Sequence, residues 1–188
     1  YENDESEEKV ETKTFLISGW HLFLIVSLSI VLFISIFGPA IIDILAPPAY
    51  RMGVLVIPFL ALAKVLSQSI QMTSSGIGFF EKTKHFAWII PLCAAINIGL
   101  NFYFIPKFSY VGAAFTSFLA NLVQILITYN ISQKYFYVDR KIKNVFFYGI
   151  TIGLLSIFFP FSELVYHIDI PFLLKLLALA FGIFAPVL

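Results

Sequence analysis

The chain has 188 residues, 60% of them hydrophobic and only 12% charged, with 12 Lys and Arg against 11 Asp and Glu for a formal net charge of +1. The charges gather in short clusters between apolar runs of about 20 residues, the length that crosses a bilayer, which excludes an ordinary water-soluble domain and indicates an all-α, polytopic transmembrane helical bundle of about six spans. Cys93 is the single cysteine, so an internal disulfide and a thiolate metal site are excluded as well.

Residues 1–14 carry six acidic and two basic side chains, which reads as a solvated loop or the exposed start of a helix. The first span is expected at 15–37, with Trp20 and His21 near the headgroup level and Gly38-Pro39 as its stop. A connector over 40–51 contains Asp43 and Pro47-Pro48, a pair that favours an extended turn. The second span runs over 52–77, where Pro58 is expected to kink it and free the carbonyl of Val54.

On that second span Lys64, Gln68, Gln71 and Ser75 fall at i, i+4, i+7 and i+11, one stripe on an otherwise aliphatic helix. Lys64 sits near mid-span, where an ionised lysine turned to lipid costs at least ~2.5–3.5 kcal/mol. It is therefore expected to face a hydrated cavity or an anion, the alternative being burial against backbone carbonyls.

A charged loop at 78–85 leads to a third span at 86–105, bent at Pro91. Two asparagines, Asn97 and Asn101, lie one helical turn apart on it. The helix is expected to break at Ile105-Pro106, cross a short polar link and restart at Val111-Gly112-Ala113-Ala114, whose small side chains permit close helix approach. The result is a tight hairpin. The fourth span, 111–133, repeats the polar spacing with Ser117, Asn121, Gln124 and Thr128. Hydrogen bonding between helices accounts for Ser117 and Thr128, while for Asn97, Asn101, Asn121 and Gln124 that reading and a substrate-facing one stand open together.

The basic loop 134–144 precedes a fifth span at 145–159 ended by Pro160, a loop at 161–170 and a sixth span at 171–188. Lys175 is expected to snorkel outward, and His167 with Asp169 is too small a set for a metal site. With six spans, one face carries Lys9, Lys13, Lys82, Lys84, Lys134, Arg140, Lys141 and Lys143 against Arg51 and Lys107 on the other. The excess of positive charge makes the first face cytoplasmic, the N-terminal segment with it, and turns the hairpin outward. The start at Tyr1 and the end within an apolar run are read as those of a piece of a longer protein.

The run Asn97-x-x-x-Asn101-x-x-x-Ile105-Pro106-x-x-x-x-x-Gly112-Ala113-Ala114-x-Thr116 resembles the helix-to-helix signature of polysaccharide flippases (Wzx-like) in the multidrug/oligosaccharidyl-lipid/polysaccharide exporter superfamily. Ile44-Leu45-Ala46-Pro47-Pro48-Ala49-Tyr50, Phe80-Glu81-Lys82-Thr83-Lys84 and Ile131-Ser132-Gln133-Lys134-Tyr135 are similar to that family too, so the likeness covers roughly 1–145. Ser109 departs from it, standing where the family pattern usually has glycine. The resemblance implies the C-terminal part of an exporter: 1–14 a cytoplasmic acidic loop, 15–135 four helices of the C-terminal lobe, 136–188 two additional helices. The N-terminal lobe of the same chain would then be missing.

What the resemblance implies for function is the flipping of lipid-linked oligosaccharide repeat units, typically on undecaprenyl diphosphate, across the cytoplasmic membrane for capsule, O-antigen or exopolysaccharide assembly. Polysaccharide polymerase machinery and membrane lipids would be partners, with no nucleic acid and no cofactor. Lys64, Gln68, Gln71, Asn97, Asn101, Asn121 and Gln124 are the candidate substrate-cavity residues, the lysine for a diphosphate and the amides for sugar hydroxyls. No phosphate loop, dinucleotide motif or nucleophile elbow points to an enzyme. An ion-coupled multidrug exporter is the alternative, lacking an intramembrane carboxylate to carry the ion, and a glycan-transferring membrane enzyme relying on His167 or Asp169 is a third reading.

Overall fold

The structure, a computed structural model, describes residues 2–74, 77–78, 81–135, 137 and 142–166, with side chains described from residue 11 onward except at 142–148 and 163–166. Every described element is helical: α1 (Glu2–Leu45), a 3-10 segment (Pro48–Leu55), α2 (Val56–Thr73), α3 (Lys84–Tyr135) and α4 (Ile142–Tyr166). Three stretches are long and apolar enough to cross a membrane, Glu11–Leu45, Pro48–Thr73 and Lys84–Tyr135, and Gly149–Ser162 within α4 is apolar but shorter. The all-α class expected from composition is what forms. The described residues do not show six spans, since the sixth, at 171–188, lies outside them together with Ser75, Asp139, His167, Asp169 and Lys175.

Several boundaries differ from expectation, each for a local reason. Residues of the acidic segment are helical from Glu2 onward, so 2–14 form the start of a helix and not a loop. Gly38-Pro39 does not stop the first span, because α1 continues through Pro39 to Leu45. A proline removes one backbone bond, and a packed membrane helix tolerates that where neighbouring helices hold it in place. Both residues are buried, and a Cβ on Gly38 would stand only 3.1 Å from Cδ1 of Ile57, so the pair is a contact site with the next helix.

Pro47 is extended, with φ −58° and ψ 154°, as the Pro-Pro pair predicts, and Pro48 opens the 3-10 segment. Pro58 does not kink a mid-helix. It is the third residue of α2, where its missing N–H is one of the four that a helix start leaves without a partner. Pro160 lies inside α4 and is buried, rather than ending the fifth span.

The hairpin forms, but it turns later than Pro106. Helix α3 carries both Pro91 and Pro106 within it, and the one residue with non-helical angles is Ser109, at φ 50° and ψ −132°. That residue folds α3 into two antiparallel arms, 84–108 and 110–135. Their pairing is direct: a Cβ on Gly112 would meet the carbonyl oxygen of Phe104 at 2.5 Å, and His85 Nε2 lies 2.9 Å from the Tyr135 hydroxyl at the opposite end.

The core gathers Leu28, Val31, Leu32 and Ile36 of α1, Leu62 and Val65 of α2, and Ile152 and Phe159 of α4, with Phe118 of the second α3 arm against it. On α1 these positions share the i, i+3, i+4, i+8 face of a helix. Trp20 of α1 is also buried, 5.7 Å from the half-buried His21 ring, so it packs within the protein. In a bilayer the tails are as apolar as leucine, so such contacts hold helices by packing and by backbone approach more than by transfer from water.

Two substitutions at the turn are expected to act in opposite directions. Ser109 holds angles that glycine adopts freely and that cost other residues about 1–3 kcal/mol. Ser109→Gly is therefore expected to raise stability by about 1 kcal/mol, after the added freedom of glycine in the unfolded chain is subtracted. Gly112→Ala drives a methyl into backbone and is expected to destabilise by about 1–3 kcal/mol. Unfolding of the two variants in detergent checks both signs, and a Ser109→Gly protein no more stable than wild type would remove strain from the description of the turn.

Candidate functional site

The polar side chains expected to share one cavity separate into two groups. The first lies between the α3 arms. Asn101 Nδ2 donates to Asn97 Oδ1 at 2.7 Å, and the Asn101 Oδ1 accepts from the Thr116 hydroxyl on the other arm. Thr116 is fully buried, and its hydroxyl also lies 2.9 Å from the carbonyl of Ala113 in its own helix. Asn101 is thus a clamp between the arms, the interhelical reading of this residue.

One turn farther from the tip the arms leave a cleft of about 350 Å³, lined by Ile90, Cys93, Ala94, Asn97 and Ile98 on one arm and Ala120, Asn121 and Gln124 on the other. Asn121 Nδ2 donates 2.8 Å to the carbonyl of Ser117, and Ser117 Oγ donates 2.9 Å to that of Ala113. Ser117 therefore satisfies its hydroxyl within its own helix instead of across helices, which a hydroxyl one turn after a carbonyl can always do. Thr128 is buried, and its hydroxyl has no hydrogen-bond partner among the described residues.

Chemically the cleft offers carboxamides, each with donors and an acceptor, on apolar walls. Such a set can donate to and accept from hydroxyl- or amide-bearing groups. Among the described residues no group of three or more His, Cys, Asp or Glu side chains comes together to hold a metal ion.

The second group is on α2. Lys64, Gln68 and Gln71 are exposed along one face with Leu60, while Leu62, Val65, Ser69 and Thr73 bury the opposite one. Gln71 Nε2 donates to Gln68 Oε1 at 3.1 Å. No α2 residue lines the cleft. The stripe is thus real as a helix face, and its exposure sets it apart from Asn97, Asn121 and Gln124.

Thr116 and Cys93 are the residues that periodicity did not single out as site-forming. Thr116 stands seven residues after Ser109 and Asn101 eight before it, so reflecting the sequence about the turn would have paired them. Cys93 reads as an ordinary small apolar residue in a span. No protein-family model, curated protein or solved structure matches the chain.

The clamp makes a quantitative expectation. In a double-mutant cycle of Asn101→Ala and Thr116→Val, followed by unfolding in mixed micelles, the two positions are expected to couple by about 0.6–1.7 kcal/mol, the span found for hydrogen bonds between membrane helices. Additive effects would mean that the two side chains do not bond.

Proposed function

We propose that the chain belongs to a transporter of the polysaccharide-flippase type, which moves lipid-linked oligosaccharide repeat units across the cytoplasmic membrane by alternating access. The observation that carries this reading is the cleft in which Asn97, Asn121 and Gln124 come together between the two arms of a predominantly apolar helix. Polar side chains inside a membrane are costly unless they bond or line a passage, and Asn97 and Asn121 bond only in part while lining a space. Uncharged amides suit sugar hydroxyls. Lys64 supplies the complementary element, a cation able to pair with a diphosphate, and Gln68 and Gln71 continue its face toward a passage completed by the N-terminal lobe. In this reading the N-terminal segment is cytoplasmic, the hairpin tip faces outward, and polysaccharide polymerase machinery receives the product.

The break in α3 at Ser109, and the backbone hydrogen bonds withheld by Pro39, Pro91, Pro106 and Pro160 inside helices, suit a mechanism in which one bundle rocks against another around a fixed site. The ion-coupled drug exporter has less to draw on: among the described side chains, Asp43 pairs with Arg51 at 3.5 Å at an exposed helix end, and Glu11 and Glu81 are exposed.

Reconstituted vesicles loaded with a fluorescent undecaprenyl-diphosphate oligosaccharide test the proposal. The Asn121→Ala, Gln124→Ala double variant is expected to slow flipping about tenfold or more, the effect of losing one or two good hydrogen bonds. Lys64→Ala is expected to weaken it comparably, and Lys64→Arg to retain most of it. Unchanged rates in the amide variant would sink the cleft as a substrate site, and unchanged rates in Lys64→Ala would remove the phosphate-pairing role.

A further inference from the structure

The hairpin tip exposes a patch that neither the clamp nor the cleft uses. Phe102 is 80% exposed, Tyr103 59%, Phe108 56% and Tyr110 53%, and Pro106, Lys107 and Ser109 between them are exposed as well. Only Phe104 turns inward, against Phe108 at 6.0 Å and Phe115 at 5.4 Å between ring centroids. A single cation stands in this aromatic crown, the Lys107 ammonium lying 3.7 Å from the centre of the Tyr103 ring.

The length of the arms says where this patch sits. The far end of the hairpin carries Glu81, Lys82, Lys84 and Lys134, all exposed, which hold that end in water. From there an arm of about 25 residues rises ~37 Å at ~1.5 Å per residue, against a hydrocarbon core of ~30 Å. The tip can therefore clear the core by only a few ångströms. That is headgroup depth, the level at which tyrosine and other amphipathic aromatic rings are favoured and a lysine reaches polar groups.

Below the tip the first arm also exposes Leu92 and Trp88, neither of which lines the cleft, so apolar surface continues from the patch down that arm. Complementary charge then names the occupant. An ammonium beside a tyrosine ring, surrounded by apolar rings and with no carboxylate among its described neighbours, fits the phosphate of a glycerophospholipid headgroup.

We infer that the tip formed by Phe102, Tyr103, Lys107, Phe108 and Tyr110 is a lipid-headgroup anchor that fixes the depth of the hairpin, and with it the height of the amide cleft, in the bilayer. This rests on the membrane reading of the helices and not on the identity of the transported molecule.

The test uses the protein in vesicles of phosphatidylcholine with 30% phosphatidylglycerol, carrying a nitroxide at Phe108→Cys in a Cys93→Ala background. Collision with oxygen is expected to exceed collision with a water-soluble nickel chelate by several-fold, placing the label just below the phosphates. Lys107→Gln is expected to shift that ratio, and to abolish the difference in it between vesicles with and without phosphatidylglycerol. Equal access to both colliders would put the tip in water, and access to neither would put it against another protein; each overturns the anchor. A flipping assay that fails in the cleft variants while the label keeps its depth would leave the anchor standing.

Discussion

The arrangement of polar groups in this protein depends on one reversal, the positive φ at Ser109 with Gly112 pressed against the backbone of Phe104. Because the arms approach to backbone contact there, their register is fixed within a fraction of a turn. Thr116 then meets Asn101, and the wider gap beyond becomes the space between Asn97 and Asn121. Had the arms been held apart by a bulkier residue at 112, each amide would have faced its own helix or lipid. The tightness at the tip and the cleft below it are one geometric fact.

The polar groups of these apolar helices are handled in several ways, and a few, such as the buried Thr128 hydroxyl, have no hydrogen-bond partner among the described residues. Hydroxyls turn back on their own helices, as Ser29 does to the carbonyl of Ile25 at 2.7 Å and Ser156 to that of Gly153 at 2.8 Å. Such groups need no neighbour and carry no information about function. Asn101 and Thr116 bond across the arms and hold structure. The cleft amides are used only in part, Asn97 Oδ1 by Asn101 and Asn121 Nδ2 by the Ser117 carbonyl, and their remaining donors and acceptors, with the lysine face of α2, are what the functional proposal rests on.

Helix assignment was legible in advance, since apolar runs of membrane length leave the backbone little choice but to bond within itself. The polar stripe of Lys64, Gln68 and Gln71 was equally legible, because a 3.6-residue period makes a shared face a property of spacing alone. Helix ends were less so. Gly38-Pro39, Pro106 and Pro160 look like stops and Pro58 like a kink, yet Pro39, Pro106 and Pro160 lie inside helices and Pro58 lies at a start. A proline withdraws one hydrogen bond, and whether the helix survives that is settled by what packs around it.

The amino-acid sequence by itself determined an all-helical chain of membrane-crossing length, the residue types on each polar face, and the existence of a hairpin near Pro106. Tertiary structure alone decided that the turn falls on Ser109, that Asn101 serves as a clamp while Asn97, Asn121 and Gln124 share a space, and that the lysine face of α2 lies elsewhere. The reason is physical: a helix face follows from the angle between successive residues, whereas the meeting of two faces depends on the register and rotation of whole helices, which are set by a few close contacts far apart in sequence.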